Sequence, residues 1–135
     1  MEKNSLKSER LTMQKKEILE FLRNTKIHPS SEQVYEAVKE KMPMISLATV
    51  YRNLNQMADN GIIEKISDES VKEMRFDGNP EKHQHFICEK CNKIIDIEIP
   101  NESKIIPKIK NRKFSVKKIR INLIGTCTDC SEKSD

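Results

Sequence analysis

The four cysteines of this chain form two C-x-x-C pairs, Cys88 with Cys91 and Cys127 with Cys130, separated by 35 residues. Each pair offers two thiolates from one tight turn, and four thiolates around Zn²⁺ close a tetrahedral site with no open position. Four unrelated buried thiols, or a redox pair, are the alternative interpretations. The two matched pairs favour a structural zinc site.

A second set of possible ligands precedes the first cysteine pair in the stretch "HQHFICEKC". On a strand, His83 and His85 point to the same side. Asp77 comes before them and Asp96 lies on the next predicted strand. Nitrogen and oxygen ligands suit Fe²⁺, Mn²⁺ or Zn²⁺. The pattern predicts a second metal site, although such a pair can also be an ordinary polar surface feature.

The length of 135 residues allows one ordinary domain or two small ones. No apolar run reaches the roughly 20 residues of a membrane span, so we expect a soluble, cytoplasmic protein without a membrane partner. The net charge is +4, with 13 basic and 13 acidic residues in 1–77, and 12 basic and 8 acidic residues in 78–135. Charge alone therefore does not mark the first half as nucleic-acid binding.

Three helices are predicted in the first half. The first covers "LTMQKKEILEFLRN" with Thr12 as its N-cap, and the second covers "SSEQVYEAVKEKM" with Ser30 and Gln33 as a capping box, ending before Pro43. Ser46 caps the third, "LATVYRNLNQMADNG", which ends at a left-handed glycine, Gly61. Its predicted buried stripe consists of Leu47, Val50, Leu54, Met57 and Ala58.

Two short β-prone runs follow, "IIEKIS" and "VKEMRF", around the polar turn "DES". Three helices and a hairpin describe a winged helix-turn-helix, which we assign to residues 1–77, with a hinge at 78–82. In residues 83–135 we expect strands at "HFIC", "KIIDIEI" and "SVKKIRINLIG" and a helix at "NESKIIPKIKN". The predicted fold class is α+β, with an N-terminal winged helix-turn-helix followed by a small C-terminal α/β domain.

The segments "HPSSEQVYEAVKEKMPMISLATVYRNLNQMADNGII", "RFD", "HQHFICEKCNKIID" and "GTCTDC" closely resemble the ferric uptake regulator family of metal-dependent repressors. The resemblance runs from about Arg10 to Cys130. It implies a homodimer that binds a double-stranded DNA operator, with N-terminal winged helices and a C-terminal dimerisation domain. It also implies a four-cysteine zinc site and a regulatory Fe²⁺ or Mn²⁺ between the domains.

The resemblance further implies the ligands of that regulatory metal. Carried over by position, they are His28, Asp77, His83, His85 and Asp96. Asp96 stands where iron-uptake regulators more often carry glutamate, which is similar to the peroxide-stress repressors. Those repressors use Fe²⁺, and peroxide oxidises a histidine ligand and releases the DNA. An iron-uptake, manganese or zinc sensor of the same family without peroxide sensing is the alternative.

The outward face of the third helix is the predicted DNA-reading surface. Tyr51 and Arg52 are the candidates for contact with base edges. The candidates near phosphates or bases are Ser46, Thr49 and Asn55, with Arg10 in a minor groove and Lys15 on a phosphate. Without the surrounding helix-turn-helix, these would be read as ordinary exposed helix residues.

The chain departs from the family pattern in places. Lys82, Gln84 and Ile119 stand where many members carry ligands of an auxiliary metal site, so we do not expect that site here. Met13 and Lys15 replace the usual Pro and Arg at the start of the first helix. Residues 104–120 hold eight basic residues and no acidic one, and we assign them no partner.

Two other function classes fit less well. Zinc deaminases also place a histidine near a C-x-x-C pair, but they need the motif H-x-E and an open zinc position. Neither His83 nor His85 is followed two residues later by Glu, so we predict no enzymatic activity. A zinc-stabilised adaptor without sensing is the second rival, and its DNA affinity would not respond to added metal.

Overall fold

The computed structural model describes residues 2–81, 83–98, 115 and 119–132, with side chains from Thr12 onward. The chain divides into two compact units, Met1–Pro80 and Glu81–Asp135, here called the N-terminal and C-terminal units. The division falls inside the stretch predicted as a hinge, 78–82. Each unit has its own sheet, and helices precede the strands in the first, in agreement with the predicted α+β class.

The N-terminal unit begins with three helices, α1 (Glu2–Asn24), α2 (Ser31–Val38) and α3 (Leu47–Asp59). The capping box of α2 forms as predicted, because the Ser30 side chain accepts from the Gln33 N–H and the Gln33 side chain accepts from the Ser30 N–H. Ser46 caps α3 by accepting from the Thr49 N–H at 3.1 Å. After α3, Gly61 adopts a left-handed φ of 75°, as expected for a residue without a Cβ.

Two helix bounds differ from the prediction. Helix α1 starts at Glu2, so Thr12 lies inside the helix and is not its N-cap. The residues before Thr12 include several Glu, Lys, Leu and Arg and no Gly or Pro, which favours continuing the helix. Helix α2 ends at Val38, and the next residues form turns in which the Met42 N–H donates to the Val38 carbonyl. Pro43 is therefore not its terminator.

The wing consists of β1 (Glu64–Ile66) and β2 (Arg75–Asp77), paired antiparallel with Glu64 opposite Asp77 and Ile66 opposite Arg75. The prediction of a tight "DES" turn joining the two β-prone runs was wrong. Asp68 does start a turn, accepting from Ser70 and Val71, but strand pairing resumes only at Arg75. The connection between the strands is thus the whole of residues 67–74, called the wing loop below.

The core of this unit joins all three helices to the wing. Its buried members are Ile18, Leu22, Val34, Val38, Ile45, Val50, Leu54, Met57, Ile63 and Phe76. Leu47, predicted in the α3 stripe, is instead 40% exposed, because it is the first residue of the helix and lies beyond the edge of the core. Asn53 takes an interior position instead, and its amide donates to Gln14 of α1.

Gly78 follows the wing and packs against α1. A Cβ at this position would lie 2.6 Å from the Leu22 Cβ and 3.0 Å from the Leu22 carbonyl carbon. Such distances are shorter than ordinary atomic contacts, so the close approach of the chain to α1 requires glycine here.

The C-terminal unit contains a three-stranded sheet in the order β4, β3, β5. Strand β3 (Gln84–Cys88) pairs antiparallel with β4 (Ile94–Ile97) and parallel with β5 (Asn122–Gly125). A short helix, α4 (Thr128–Glu132), follows β5 and was not predicted. The predicted helix "NESKIIPKIKN" and part of the long predicted strand that ends at Gly125 lie outside the described residues.

Within the described part of the chain, no helix is both long enough and apolar enough to cross a membrane.

Candidate metal centres and nucleic-acid interface

The first cysteine pair lies on the turn that joins β3 to β4. Cys88 ends β3, and its carbonyl accepts from the Asn92 N–H at 2.8 Å while its own N–H donates to the Lys93 carbonyl at 2.9 Å. Asn92 adopts a left-handed φ of 61°, a conformation that asparagine tolerates better than most residues. The tight turn brings Cys91 back beside Cys88.

The second pair arrives through the parallel strand β5. Because Gly125 is in register with Cys88, the residues that follow β5 lie next to the first cysteine pair, Cys88 and Cys91. The Cys127 N–H donates to the Cys88 sulfur at 3.4 Å, and Cys130 lies one turn further on in α4. All four sulfur atoms lie within 4.8 Å of one another.

The geometry of this cluster fits zinc. The Cys91 and Cys127 sulfurs are 3.8 Å apart. A tetrahedron with Zn–S bonds of about 2.3 Å has edges of about 3.8 Å. All four cysteines are free of disulfide bonds. The two matched pairs therefore converge as a closed four-thiolate site requires.

The thiols of the cluster differ in acidity. The Cys127 N–H, with the backbone N–H groups of Cys91 and Lys90, lowers the pKa of Cys88 from 9.0 to about 6. The neighbouring Cys127 side chain and burial raise the pKa of Cys130 to about 12. Since metals bind the thiolate form, a zinc ion has to displace the proton of Cys130, and zinc affinity rises with pH.

Three ligand atoms meet on the sheet of the C-terminal unit. The Nε2 atoms of His83 and His85 are 3.1 Å apart, and they lie 3.2 Å and 3.4 Å from the Asp96 Oδ1. Asp96 reaches His85 because the two residues are directly opposite each other on β3 and β4. Two ring nitrogens and a carboxylate oxygen arranged in this way can share one proton or one cation. We call these three residues the sheet triad.

A contact between the His83 ring and the backbone, on the ring nitrogen remote from the triad, fixes the orientation of His83. Its Nδ1 lies 2.6 Å from the Glu81 carbonyl oxygen. A carbonyl oxygen only accepts, so Nδ1 carries the proton and the lone pair of Nε2 is directed at the triad. The ring of His85 meets that of His83 edge-on, with an interplanar angle of 83°. The histidine side chains are 6% and 4% exposed and that of Asp96 is 37% exposed, so solvent reaches the triad at its carboxylate edge.

The spacing of the sheet triad fits a first-row divalent metal. Metal–nitrogen bonds of about 2.1 Å give ligand–ligand edges of about 3.0 Å in an octahedral site and about 3.4 Å in a tetrahedral one. The observed edges of 3.1–3.4 Å lie within this range. Two histidines and one carboxylate are also the ligands of many non-haem Fe²⁺ sites.

The N-terminal unit contains its own histidine–carboxylate pair. The His28 Nε2 lies 3.3 Å from the Asp77 Oδ2, and both side chains are buried. Residues 28–30 run beside β2: the Phe76 N–H donates to the Pro29 carbonyl at 2.9 Å, and the Arg75 Nε donates to the His28 carbonyl. These contacts hold His28 next to the strand that carries Asp77. Arg75 was not identified from the sequence.

Helix α3 presents the predicted reading face to solvent. Tyr51 is 44% exposed and Arg52 is exposed. The Arg52 guanidinium donates to the Thr49 hydroxyl at 3.4 Å, and that hydroxyl lies 2.9 Å from the Ser46 hydroxyl. The Ser46 and Thr49 side chains therefore organise the start of the helix and the position of Arg52.

Asn55 has a structural partner that the sequence did not reveal. Its Oδ1 accepts from the Lys65 ammonium of β1 at 3.0 Å, which joins α3 to the wing. Lys15 of α1 is half-buried. The side chain of Arg10, Lys82 and most of the basic stretch 104–120 lie outside the described residues. The Gln84 amide, at a position where the resemblance places an auxiliary-site ligand in many members, forms hydrogen bonds with the backbone of residues 119 and 121.

Comparison with known proteins gives consistent matches. The model of the "Ferric uptake regulator family" matches residues 7–124. The peroxide-responsive repressor PerR of Staphylococcus epidermidis is 35% identical over 129 residues, which cover 93% of this chain and 84% of that protein. PerR of Staphylococcus aureus strain USA300 is also 35% identical, over 92% of this chain and 84% of that protein.

Two solved structures extend the likeness to the fold. The Campylobacter jejuni peroxide stress regulator has a TM-score of 0.78 and 28% identity, and the match covers 94% of this chain and 97% of that one. The Francisella tularensis ferric uptake regulator, determined with iron, has a TM-score of 0.70 and 27% identity, covering 87% and 91%.

The family match covers most of the chain, including most of α1, all of α2 and α3, the wing and the sheet triad. Members of this family are regulators of transcription, so the rival interpretation as a zinc enzyme is not supported. The chain therefore belongs to the ferric uptake regulator family and is a metal-responsive transcriptional repressor, not an enzyme.

Proposed function

We propose that this protein is a homodimeric repressor that binds operator DNA when Fe²⁺ or Mn²⁺ occupies a regulatory site. We further propose that peroxide releases the iron form from DNA by oxidising a histidine ligand. The observation that carries the metal-sensing part is the sheet triad of His83, His85 and Asp96, with three ligand atoms 3.1–3.4 Å apart.

The proposed regulatory site also includes His28 and Asp77 of the N-terminal unit. One metal ion bound by this pair and by the sheet triad would fix the angle between the two units. In a dimer, that angle sets the separation of the two α3 helices, which must match the spacing of the operator half-sites. Metal binding would thus control DNA affinity without any ligand touching DNA.

Peroxide sensing is supported by two observations. The two Staphylococcus relatives are named peroxide-responsive repressors. The carboxylate of the triad is Asp96, which is 37% exposed, so small solutes can approach it. When bound, Fe²⁺ supplies the redox chemistry that activates peroxide. One peroxide oxygen then adds to a ring carbon of His28, His83 or His85, and the other leaves as water.

The zinc and homodimer assignments belong to the same proposal. Zn²⁺ at Cys88, Cys91, Cys127 and Cys130 would hold β5 and α4 against the β3–β4 turn. Three apolar side chains of this sheet remain well exposed in the single chain, Leu123 at 47%, Ile124 at 45% and Ile95 at 37%. Burial of such side chains against a second copy would contribute to dimer stability.

The deciding experiment compares the zinc-loaded protein with Fe²⁺ or Mn²⁺ added, with and without low peroxide. Footprinting with the purified protein first locates the operator. Gel shifts with that DNA measure binding, and mass spectrometry of the peptides that contain histidine measures oxidation. We expect both metals to promote binding, and peroxide to release only the iron form, with one oxygen gained on a histidine. An iron form that keeps its DNA and unmodified histidines would instead identify a plain iron, manganese or zinc sensor.

Arg52→Ala should lower operator affinity by about 1–3 kcal/mol if the guanidinium contacts a base by two hydrogen bonds. Specificity at that base should relax as well. Lys15→Ala is the matched change at a predicted phosphate contact, and it should weaken binding to all sequences alike. Titration of the operator and of single-base variants separates the two effects. Equal, sequence-independent losses for both variants would reassign Arg52 to the DNA backbone.

A further inference from the structure

The wing carries a carboxylate beside the His28–Asp77 pair that the ligand set above does not include. We propose that Glu64 is a third metal-facing side chain of the N-terminal unit and that it passes the effect of the metal to the reading helix through β1. This inference rests on the proposed function, since it concerns the same regulatory metal.

The position of Glu64 follows from strand register. Glu64 and Asp77 are directly opposite each other on β1 and β2, so their side chains share one face of the wing. Each offers a carboxylate oxygen, and these oxygens lie within 4.8 Å of each other. The Asp77 Oδ2 is in turn 3.3 Å from the His28 Nε2. Within the N-terminal unit, Asp77 is thus close both to the His28 nitrogen and to a carboxylate oxygen of Glu64.

The burial of the group makes its charges significant. His28 and Asp77 are 4% and 7% exposed, and Glu64 is half-buried. Like charges directly opposite each other on paired strands destabilise the pairing, and repulsion is stronger away from bulk water. A divalent cation held between the two carboxylates would offset this repulsion. Histidine nitrogen and carboxylate oxygen are suitable ligands for Fe²⁺ and Mn²⁺.

The next residue of β1 connects this site to α3. Lys65 donates from its ammonium to the Asn55 Oδ1 of α3 at 3.0 Å. Ile63, just before Glu64, and Ile66, just after Lys65, are both buried. Tightening β1 against β2 by metal would therefore restrain the wing and the outward face of α3 together. This route lies wholly within the N-terminal unit and acts in addition to any change in the angle between units.

The test is Glu64→Gln, which keeps the size of the side chain and removes its charge. Glu69→Gln, at an exposed residue of the wing loop, is the control with the same charge change. Calorimetric titration of the zinc-loaded protein with Mn²⁺ measures affinity, and scanning calorimetry without and with Mn²⁺ measures stability. We expect Glu64→Gln to weaken Mn²⁺ binding about 10- to 100-fold, and to raise Tm in the absence of Mn²⁺ while reducing the Tm gain on its addition.

Glu64→Asp should recover part of the Mn²⁺ affinity, because the charge is restored on a shorter side chain, and Glu69→Gln should match the parent in every measurement. Equal Mn²⁺ affinity for Glu64→Gln and Glu69→Gln would overturn the inference. Asp77→Asn, titrated in the same series, separates this failure from that of the proposed function. If Asp77→Asn loses Mn²⁺ affinity and Glu64→Gln does not, only the role of Glu64 is wrong. If neither loses it, the regulatory site itself is wrong.

Discussion

Replacing Cys127 with serine should strip the protein of its zinc and unfold the C-terminal unit. Cys127 is 7% exposed, its sulfur lies 3.8 Å from that of Cys91, and its N–H donates to the Cys88 sulfur. A serine hydroxyl is a poor substitute for a thiolate ligand of zinc. Because structural zinc contributes about 10–16 kcal/mol of binding free energy to folding, the loss should exceed the stability of an ordinary small domain.

Zinc content by elemental analysis and dimer content by sedimentation measure this outcome. We expect both to fall together in Cys127→Ser. Thr128→Ser, an exposed change at the next residue, is the matched control and should keep full zinc and a normal dimer. A Cys127→Ser protein that dimerises as tightly as the parent would refute the structural role of the four-cysteine site.

Replacing His28 with alanine should lower operator affinity about 5- to 150-fold at limiting metal, the usual range of coupling between two sites. The expected loss arises because the proposed metal would be held less tightly by the N-terminal unit, which would keep Asp77 but lose the His28 nitrogen. His28 itself is buried and lies outside the predicted reading helix, α3. Gel shifts at stepped Mn²⁺ concentrations measure the effect, and binding should recover in part as Mn²⁺ approaches saturation.

The neighbouring Ile27 provides the control, since its side chain is 54% exposed. Ile27→Ala should bind operator like the parent at every metal concentration. Circular dichroism establishes that both variants are folded, so that a loss of binding is not a loss of structure. Normal operator binding by folded His28→Ala at limiting metal would show that no metal bridge includes this residue.

Features with a local cause were predicted correctly from the sequence. The capping box at Ser30 and Gln33, the cap at Ser46 and the left-handed Gly61 each depend on residues within one helical turn. The cysteine and histidine motifs are also local in sequence: Cys88 and Cys91 lie at the β3–β4 turn, His83 lies just before β3 and His85 lies near its start. The order of helices, wing and sheet followed from these markers and from apolar periodicity.

The wrong predictions concern residues whose secondary structure or burial is determined by tertiary contacts. Residues 71–74 belong to the run "VKEMRF" that was predicted as a strand, but the wing pairs only from Arg75 onward. The periodic pattern that placed Leu47 in the core does not record where the core ends. Thr12 is a good cap by type, yet the residues before it continue the helix. Propensity is a weak guide when several outcomes are locally acceptable.

The part of the site that sequence reasoning missed depends on strand register. Glu64 faces Asp77, Lys65 meets Asn55, and Arg75 bonds the His28 carbonyl, and no short motif encodes any of these contacts. The metal, DNA and dimer roles of the predicted site residues remain predictions until the variants described are measured.

The parallel pairing of β3 with β5 has a consequence for the order of folding. Cys91 and Cys127 are 36 residues apart, and closing a loop of that length costs about 3 kcal/mol of chain entropy before any contact forms. The α2–α3 and β1–β2 contacts of the N-terminal unit join residues that are closer along the chain, and local contacts form faster. Newly made chains should therefore form the α2–α3 pair and the wing hairpin early, whereas the second cysteine pair joins the first late, when zinc closes the C-terminal unit.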